Sequence, residues 1–129
     1  KNLEYQEFED AKKLITATKY KEAFEALDKF IINYPSSELI PEAKYNLGYT
    51  QFALRNYKAA INTFNKIVLE YPDNPIAPNS LYQVSNSQIQ LTRITKAKQT
   101  LRTLIKKYPN ADIIESAKKR LKDLESIKL

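Results

Sequence analysis

The sequence predicts an all-α, right-handed solenoid of seven helices: three helix-turn-helix units and a terminal half-unit. Three observations predict it. First, Tyr-Pro occurs at Tyr34-Pro35, Tyr71-Pro72 and Tyr108-Pro109, each 37 residues after the last. Second, a gapless shift by this period aligns Ala23 with Ala60 and Ala97, Leu27 with Phe64 and Leu101, and Phe30 with Ile67 and Leu104. Ile31, Val68 and Ile105 form a further column, as do Tyr20, Tyr57 and Ile94. Third, one Gly against six Pro in 129 residues is the composition of helices with firm stops.

Each unit carries two stretches with apolar residues at helical spacing. The first repeat, 1–35, is predicted to hold helices near 3–17 and 20–33. In the second, 41–72, a helix near 41–54 turns at Arg55-Asn56 into another over 57–70. The proline of Tyr-Pro ends that helix, because a residue before proline avoids the α region. The third repeat, 78–109, is assigned helices near 76–91 and 94–107, and 110–129 a capping helix near 111–125. Ser36-Ser37, Asp73-Asn74 and Asn110 are expected to supply N-cap acceptors, and Pro75 to occupy a first helical position. Ala11, Gly48 and Ser85 form a column of small residues. Together with Ala23, Ala60 and Ala97 it marks where the two helices of a unit approach closely.

Composition removes whole classes of chemistry. The chain has no Cys, His, Met or Trp. Structural zinc sites, thiol nucleophiles and Ser-His triads are therefore excluded. The single glycine, Gly48, rules out a Gly-rich phosphate loop. The carboxylate pairs Glu9-Asp10 and Glu22/Glu25 fall on solvent-facing helix positions. No catalytic residue, metal site or cofactor is predicted. No apolar run approaches the roughly 18 residues of a membrane-spanning helix. The chain begins at Lys1 rather than Met, and is expected to be a processed or cut fragment whose targeting signal lies elsewhere.

The stretch from Pro41 to Pro72 resembles a tetratricopeptide repeat. Leu47-Gly48 lies in its first helix, Tyr57 opens the second, Phe64 follows Ala60 by four residues, and Pro72 closes the unit. It departs from that pattern at Lys44, where Trp is usual, and at Gln51, where Tyr is usual. Bulky residues (Phe30, Ile67, Leu104) replace a small second-helix residue, and Tyr-Pro replaces the common Asp-Pro. In these departures the chain is similar to the C-terminal domain of the Tol–Pal-associated cell division coordinator family, CpoB or YbgF. The similarity is carried by Phe30-Ile31-Ile32-Asn33-Tyr34-Pro35-Ser36-Ser37 and Ala43-Lys44-Tyr45-Asn46-Leu47-Gly48. Tyr57-Lys58-Ala59-Ala60-Ile61 and the run from Tyr71 to Pro78 belong to it too.

That resemblance implies a periplasmic protein, non-enzymatic and without cofactor, that binds a TolA-like partner. It further implies coordination of septal peptidoglycan synthesis with outer-membrane constriction. Trimerisation would rest on a coiled coil outside this stretch, leaving the domain itself monomeric or weakly associated. Two alternatives stand beside it. BamD, an outer-membrane protein assembly lipoprotein, uses similar Tyr-Pro repeats, more of them and behind a lipidated Cys. A regulatory domain of an envelope enzyme is the other.

By register, the first helices line the concave face of such a solenoid. They present Tyr5, Phe8, Lys12 and Ile15, then Tyr45, Asn46, Tyr49 and Phe52, then Tyr82, Gln83, Asn86 and Ile89. Of these, Tyr5, Phe8, Tyr45, Asn46, Tyr49, Phe52, Tyr82 and Asn86 are the candidate peptide- or partner-binding residues. Aromatic rings grip side chains and amides bond an extended backbone. The competing reading is that some of these rings pack between repeats. Tyr45 and Tyr49 stand where a carboxylate-clamp repeat has Lys and Asn, which argues against a clamp for a terminal carboxylate. Tyr34, Tyr71 and Tyr108 are read as structural, packing on the next hairpin. The net charge of +6 is uneven: residues 93–129 hold 11 Lys or Arg against 4 Asp or Glu. With one aromatic and no nucleic-acid motif there, that end reads as solvated surface, with an acidic partner second and nucleic acid last.

Overall fold

The computed structural model describes residues 2–128. The outermost positions of the first repeat and of the capping helix, Lys1 and Leu129, lie outside them. Seven helices follow in order: α1 (Asn2–Thr16), α2 (Tyr20–Asn33), α3 (Ile40–Ala53), α4 (Tyr57–Glu70), α5 (Ile76–Gln90), α6 (Ile94–Lys107) and α7 (Ile114–Glu125). They form two compact units, Lys1–Thr63 and Phe64–Leu129, with the division falling inside α4.

The periodic columns explain the core of each unit. In the first, α1 packs on α2, α2 on α3, and α1 touches α3. Ala23 and Leu27 are wholly buried there, with Phe8, Ala11, Phe30 and Ala43. In the second, α6 packs against both α5 and α7. Its core joins Leu81 of α5, Ala97, Leu101 and Leu104 of α6, and Ile114, Ala117 and Leu124 of α7. Buried hydroxyls are satisfied locally. Thr50 donates to the Leu47 carbonyl at 2.7 Å and Ser85 to that of Tyr82 at 2.6 Å. Ser80 and Ser87 bond the carbonyls four residues earlier, both at 2.9 Å.

One backbone feature recurs with the 37-residue period and has no residue-type signature. Thr18, Arg55 and Thr92 adopt φ of 58°, 63° and 57° between the two helices of each repeat. Around Thr92, the Arg93 N–H bonds the Gln88 carbonyl at 2.8 Å and the Thr92 N–H bonds that of Ile89 at 2.9 Å. The same pair of bonds surrounds Thr18 and Arg55, so each first helix closes in a Schellman motif. Glycine usually holds that left-handed position. Here the only glycine, Gly48, is buried inside α3 at negative φ.

Helix starts depart from expectation. The N-cap residues Leu39, Pro75 and Ile113 make no side-chain cap bond. Ser37 and Asn74 instead act just ahead of the helix, accepting from the N–H of Leu39 at 3.0 Å and of Ile76 at 2.9 Å. Pro75 precedes α5 rather than opening it. α7 begins at Ile114, later than predicted. Its approach is closed by backbone bonds from Ala111 to Tyr108 and from Ile114 to Ala111, both 3.1 Å, rather than by the Asn110 side chain.

Two of the Tyr-Pro tyrosines make defined structural contacts. Tyr108 packs on the core cluster to which the following helix α7 contributes Ile114, Ala117 and Leu124. The Tyr34 ring lies 5.1 Å from Phe30 of its own helix. The Tyr108 hydroxyl donates 2.8 Å back to the Pro72 carbonyl, in the preceding Tyr-Pro linker. This bond ties the third Tyr-Pro linker to the second.

Candidate partner-binding faces

In the first unit, α1 and α3 carry six of the sequence-predicted residues. Phe8 is a correction: its ring is only 2% exposed and packs 5.5 Å from Phe30. Lys12 covers it, with its ammonium 4.9 Å above the ring and paired to Glu9 at 3.0 Å and Glu42 at 3.4 Å. The Glu9 hydrogen bond, with Glu42 beyond it, raises the Lys12 pKa above its ordinary value against the lowering effect of burial. This α1–α3 ion bridge removes Phe8 from the surface.

The other residues of the unit remain accessible. Tyr5 is 39% exposed and lines a cleft of about 440 Å³ with Glu4, Tyr34 and Pro35. A hydrogen bond with Glu7 raises the Tyr34 pKa there. Tyr49 is 38% exposed and stands edge-on to Tyr20 at 6.2 Å. Burial, then the neighbouring Tyr20, raises its pKa. Tyr45 and Asn46 are half-buried on α3. Among the described residues the Asn46 side chain has no hydrogen-bonding partner. Phe52 is half-buried and packs edge-on against Tyr57 at 5.2 Å, so part of its ring serves the α3–α4 turn.

In the second unit, α5 places Tyr82 and Asn86 one turn apart, both half-buried. One side of Tyr82 packs on the unit's core. The guanidinium of Arg120 on α7 lies over its ring, 5.5 Å from the centroid. The same guanidinium donates to Asn86 Oδ1, and Asn86 Nδ2 donates to Gln83 Oε1 at 3.3 Å. Sequence reasoning placed Arg120 in a solvated basic run and missed this cluster. The signal was present: Arg120 follows Gln83 by one 37-residue period, which puts it on a first-helix face.

Elsewhere the faces hold paired charges. Glu9 pairs with Lys12, Asp10 accepts from Gln6 at 2.9 Å, and Arg102 bridges to Glu125 at 3.1 Å. Among the described residues no three Asp or Glu gather as a metal would require, and no helix is long and apolar enough to cross a membrane.

Over residues 2–127 the chain matches the YfiO family, described as outer membrane lipoprotein. The chain belongs to the YfiO family. The tetratricopeptide-type reading stands, whereas membership of the cell division coordinator family is not what the match supports. No curated protein matches the chain. Among solved structures, PcrH from Pseudomonas aeruginosa is similar with a TM-score of 0.79 at 14% identity, covering 98% of this chain and 94% of that one. The type III secretion translocator chaperone SycD of Yersinia enterocolitica gives 0.76 at 14% identity, covering 96% and 89%. The second TPR domain of human RPAP3, in complex with an HSP70 peptide, gives 0.74 at 16% identity, covering 98% of each chain. At these identities the likeness shows the fold: this YfiO-family chain is an all-α tetratricopeptide-repeat solenoid.

Proposed function

We propose that this YfiO-family chain is a non-enzymatic module of the bacterial periplasm that holds a polypeptide segment of a partner on its first-helix faces. The observation that carries the reading is the pairing of accessible rings with amides on those helices. Tyr5, Tyr45, Asn46, Tyr49 and Phe52 supply them in the first unit, and in the second Tyr82 and Asn86 stand on the first-helix face with Arg120 against them. Rings anchor side chains and amides bond backbone, the division of labour that an extended peptide needs. The RPAP3 domain of the same fold was solved with a peptide, which supports this use of the architecture.

Two envelope roles fit such a module. The YfiO family match favours a BamD-like subunit of outer-membrane protein assembly. The runs at 30–37 and 43–48 favour the Tol–Pal coordinator role, with a TolA-like partner or a peptidoglycan synthase complex. Site-specific photocrosslinking from position 45 and from position 82 in cells that make the chain separates them. Crosslinks to an outer-membrane assembly component support the first role, and crosslinks to a TolA-like protein the second. Tyr45→Ala and Tyr82→Ala should each weaken capture of the crosslinked partner about thirtyfold with helicity intact, as for an interface hot spot. Full capture by both variants refutes the first-helix faces as the binding surface.

A further inference from the structure

The cluster of Arg120, Asn86 and Tyr82 in the second unit holds a guanidinium with donors to spare. A guanidinium has five N–H donors in a fixed fork that matches a carboxylate edge to edge. Arg120 spends one of them on Asn86 Oδ1 and holds its Cζ 5.5 Å from the centroid of the Tyr82 ring. Among the described residues it has no carboxylate partner. Its neighbours differ. In the run Lys118-Lys119-Arg120, Lys118 pairs with Glu115 at 3.9 Å and Lys119 with Asp123 at 3.8 Å. On the other side of α7, Glu125 is taken by Arg102. The acids of this helix are thus spent on other cations, and the half-buried arginine is left uncompensated.

Its position is also fixed in advance. Asn86 is held by Gln83 through its Nδ2, which turns its Oδ1 towards Arg120. Tyr82, seated on the core, supplies the ring over which the guanidinium lies. An arginine so restrained loses little further freedom when it takes a ligand. The surrounding field has the same sign, since residues 93–129 carry a net +7 from 11 basic and 4 acidic groups.

We infer that Arg120, oriented by Asn86 and Tyr82, is an anchor for a carboxylate of an acidic polypeptide segment on the partner. This deepens the reading of the first-helix faces and rests on it. Polypeptide is the chosen class because the field around the cation is basic, which suits an acidic segment, while a single tyrosine beside it gives no platform for successive bases. The free ends of the guanidinium take the two oxygens of a Glu or Asp side chain in parallel bonds.

The test uses a fluorescent decapeptide of alternating Glu and Ala with an amidated C-terminus, its Gln/Ala counterpart, and the chain as it stands. Wild type should bind the Glu peptide and not the Gln peptide, with the Arg120 Nε–Hε resonance shifting on titration. Arg120→Gln should lose about tenfold in affinity. Arg120→Lys should recover only part of this, because an ammonium lacks the fork. The Lys118→Gln and Lys119→Gln variants should stay within about twofold at physiological salt. Circular dichroism confirms that each variant is folded. Equal losses for Arg120→Gln and the lysine variants overturn the anchor in favour of diffuse charge. Arg120-dependent binding to phosphatidylglycerol vesicles or single-stranded DNA, tighter than to the Glu peptide, overturns the ligand class. No binding of the Glu peptide by wild type overturns the anchor, while crosslinking from position 45 in the first unit still reports on the wider partner-binding reading.

Discussion

Thr92 lies at φ 57°, where its branched Cβ crowds the following carbonyl, and Thr18 and Arg55 repeat the geometry at 58° and 63°. A residue with a Cβ costs about 1–2 kcal/mol in that region. Glycine relieves the clash but gives the unfolded chain more freedom, returning about 0.4–1 kcal/mol. The Thr92 hydroxyl bond to the Leu91 carbonyl, 2.6 Å, is exposed, so water replaces most of it. At the middle of the two ranges, about 1.5 less about 0.7, Thr92→Gly stabilises by about 0.8 kcal/mol. For a chain of this length that raises the melting temperature by roughly 2–4 °C. Thr18 and Arg55 share no hydrogen-bonding partner with Thr92. The triple glycine variant should therefore approach the sum of the three, about 1.5–3 kcal/mol. Thermal and urea unfolding followed by circular dichroism measures it, with Thr92→Ala as the control that keeps a Cβ and should show no gain. Glycine variants that melt below wild type with unchanged helicity would refute the strain argument.

Gly48→Ala should destabilise by about 1–3 kcal/mol despite alanine's better helix propensity, because Gly48 is buried and the added methyl overpacks its contact; urea unfolding decides the sign. Ala97→Leu, at a wholly buried site between α5 and α7, should cost about the same. The Thr100 hydroxyl donates to Gln88 Oε1 at 2.8 Å. Thr100→Ala and Gln88→Leu should each cost about 1 kcal/mol, and the double variant less than their sum in a double-mutant cycle. Lys12, Tyr34 and Tyr49 all hold their protons more tightly when folded, their pKa values raised from 10.5, 10.0 and 10.0. Their contribution is complete below those ordinary values and is lost as pH rises through the raised ones. The urea midpoint should fall above about pH 10, less steeply in Lys12→Met and Tyr49→Phe.

The positions of the helices were legible because burial repeats with the chain's own period. Ala23, Ala60 and Ala97 are each wholly buried, and so are Leu27, Phe64 and Leu101. A gapless column therefore reports environment three times over. The helix joints were less legible for an equally definite reason. A left-handed turn is read from glycine, yet Thr18, Arg55 and Thr92 occupy it, held by backbone bonds that residue types do not announce. The hydrogen bond between Gln51 and Thr63, 2.6 Å, and its counterpart between Gln88 and Thr100 keep the period too. The first repeat has Leu14 and Ala26 there, so sequence alone gave no polar column to notice.

The candidate site shows where periodicity stops carrying information. Phe8, Tyr45 and Tyr82 share one column, and register places all three on first-helix faces. Register says nothing about what else reaches that face. For Phe8 it is Phe30 beneath and Lys12 above, the lysine drawn across by Glu42 from thirty residues away, and the ring is buried. For Tyr82 it is Arg120, from a helix two further along the chain. The same kind of event, a cation laid on a ring of the column, has opposite consequences in the two cases. Lys12 arrives with its charge answered by Glu9 and Glu42 and closes the surface, whereas Arg120 arrives with only an amide and leaves its fork open. The acids decide the difference. Glu9 and Glu42 stand within reach of Lys12, while the α7 acids Glu115, Asp123 and Glu125 are held by Lys118, Lys119 and Arg102. A binding function for one member of a repeated column therefore depends less on the column than on whether the charge beside it is already neutralised.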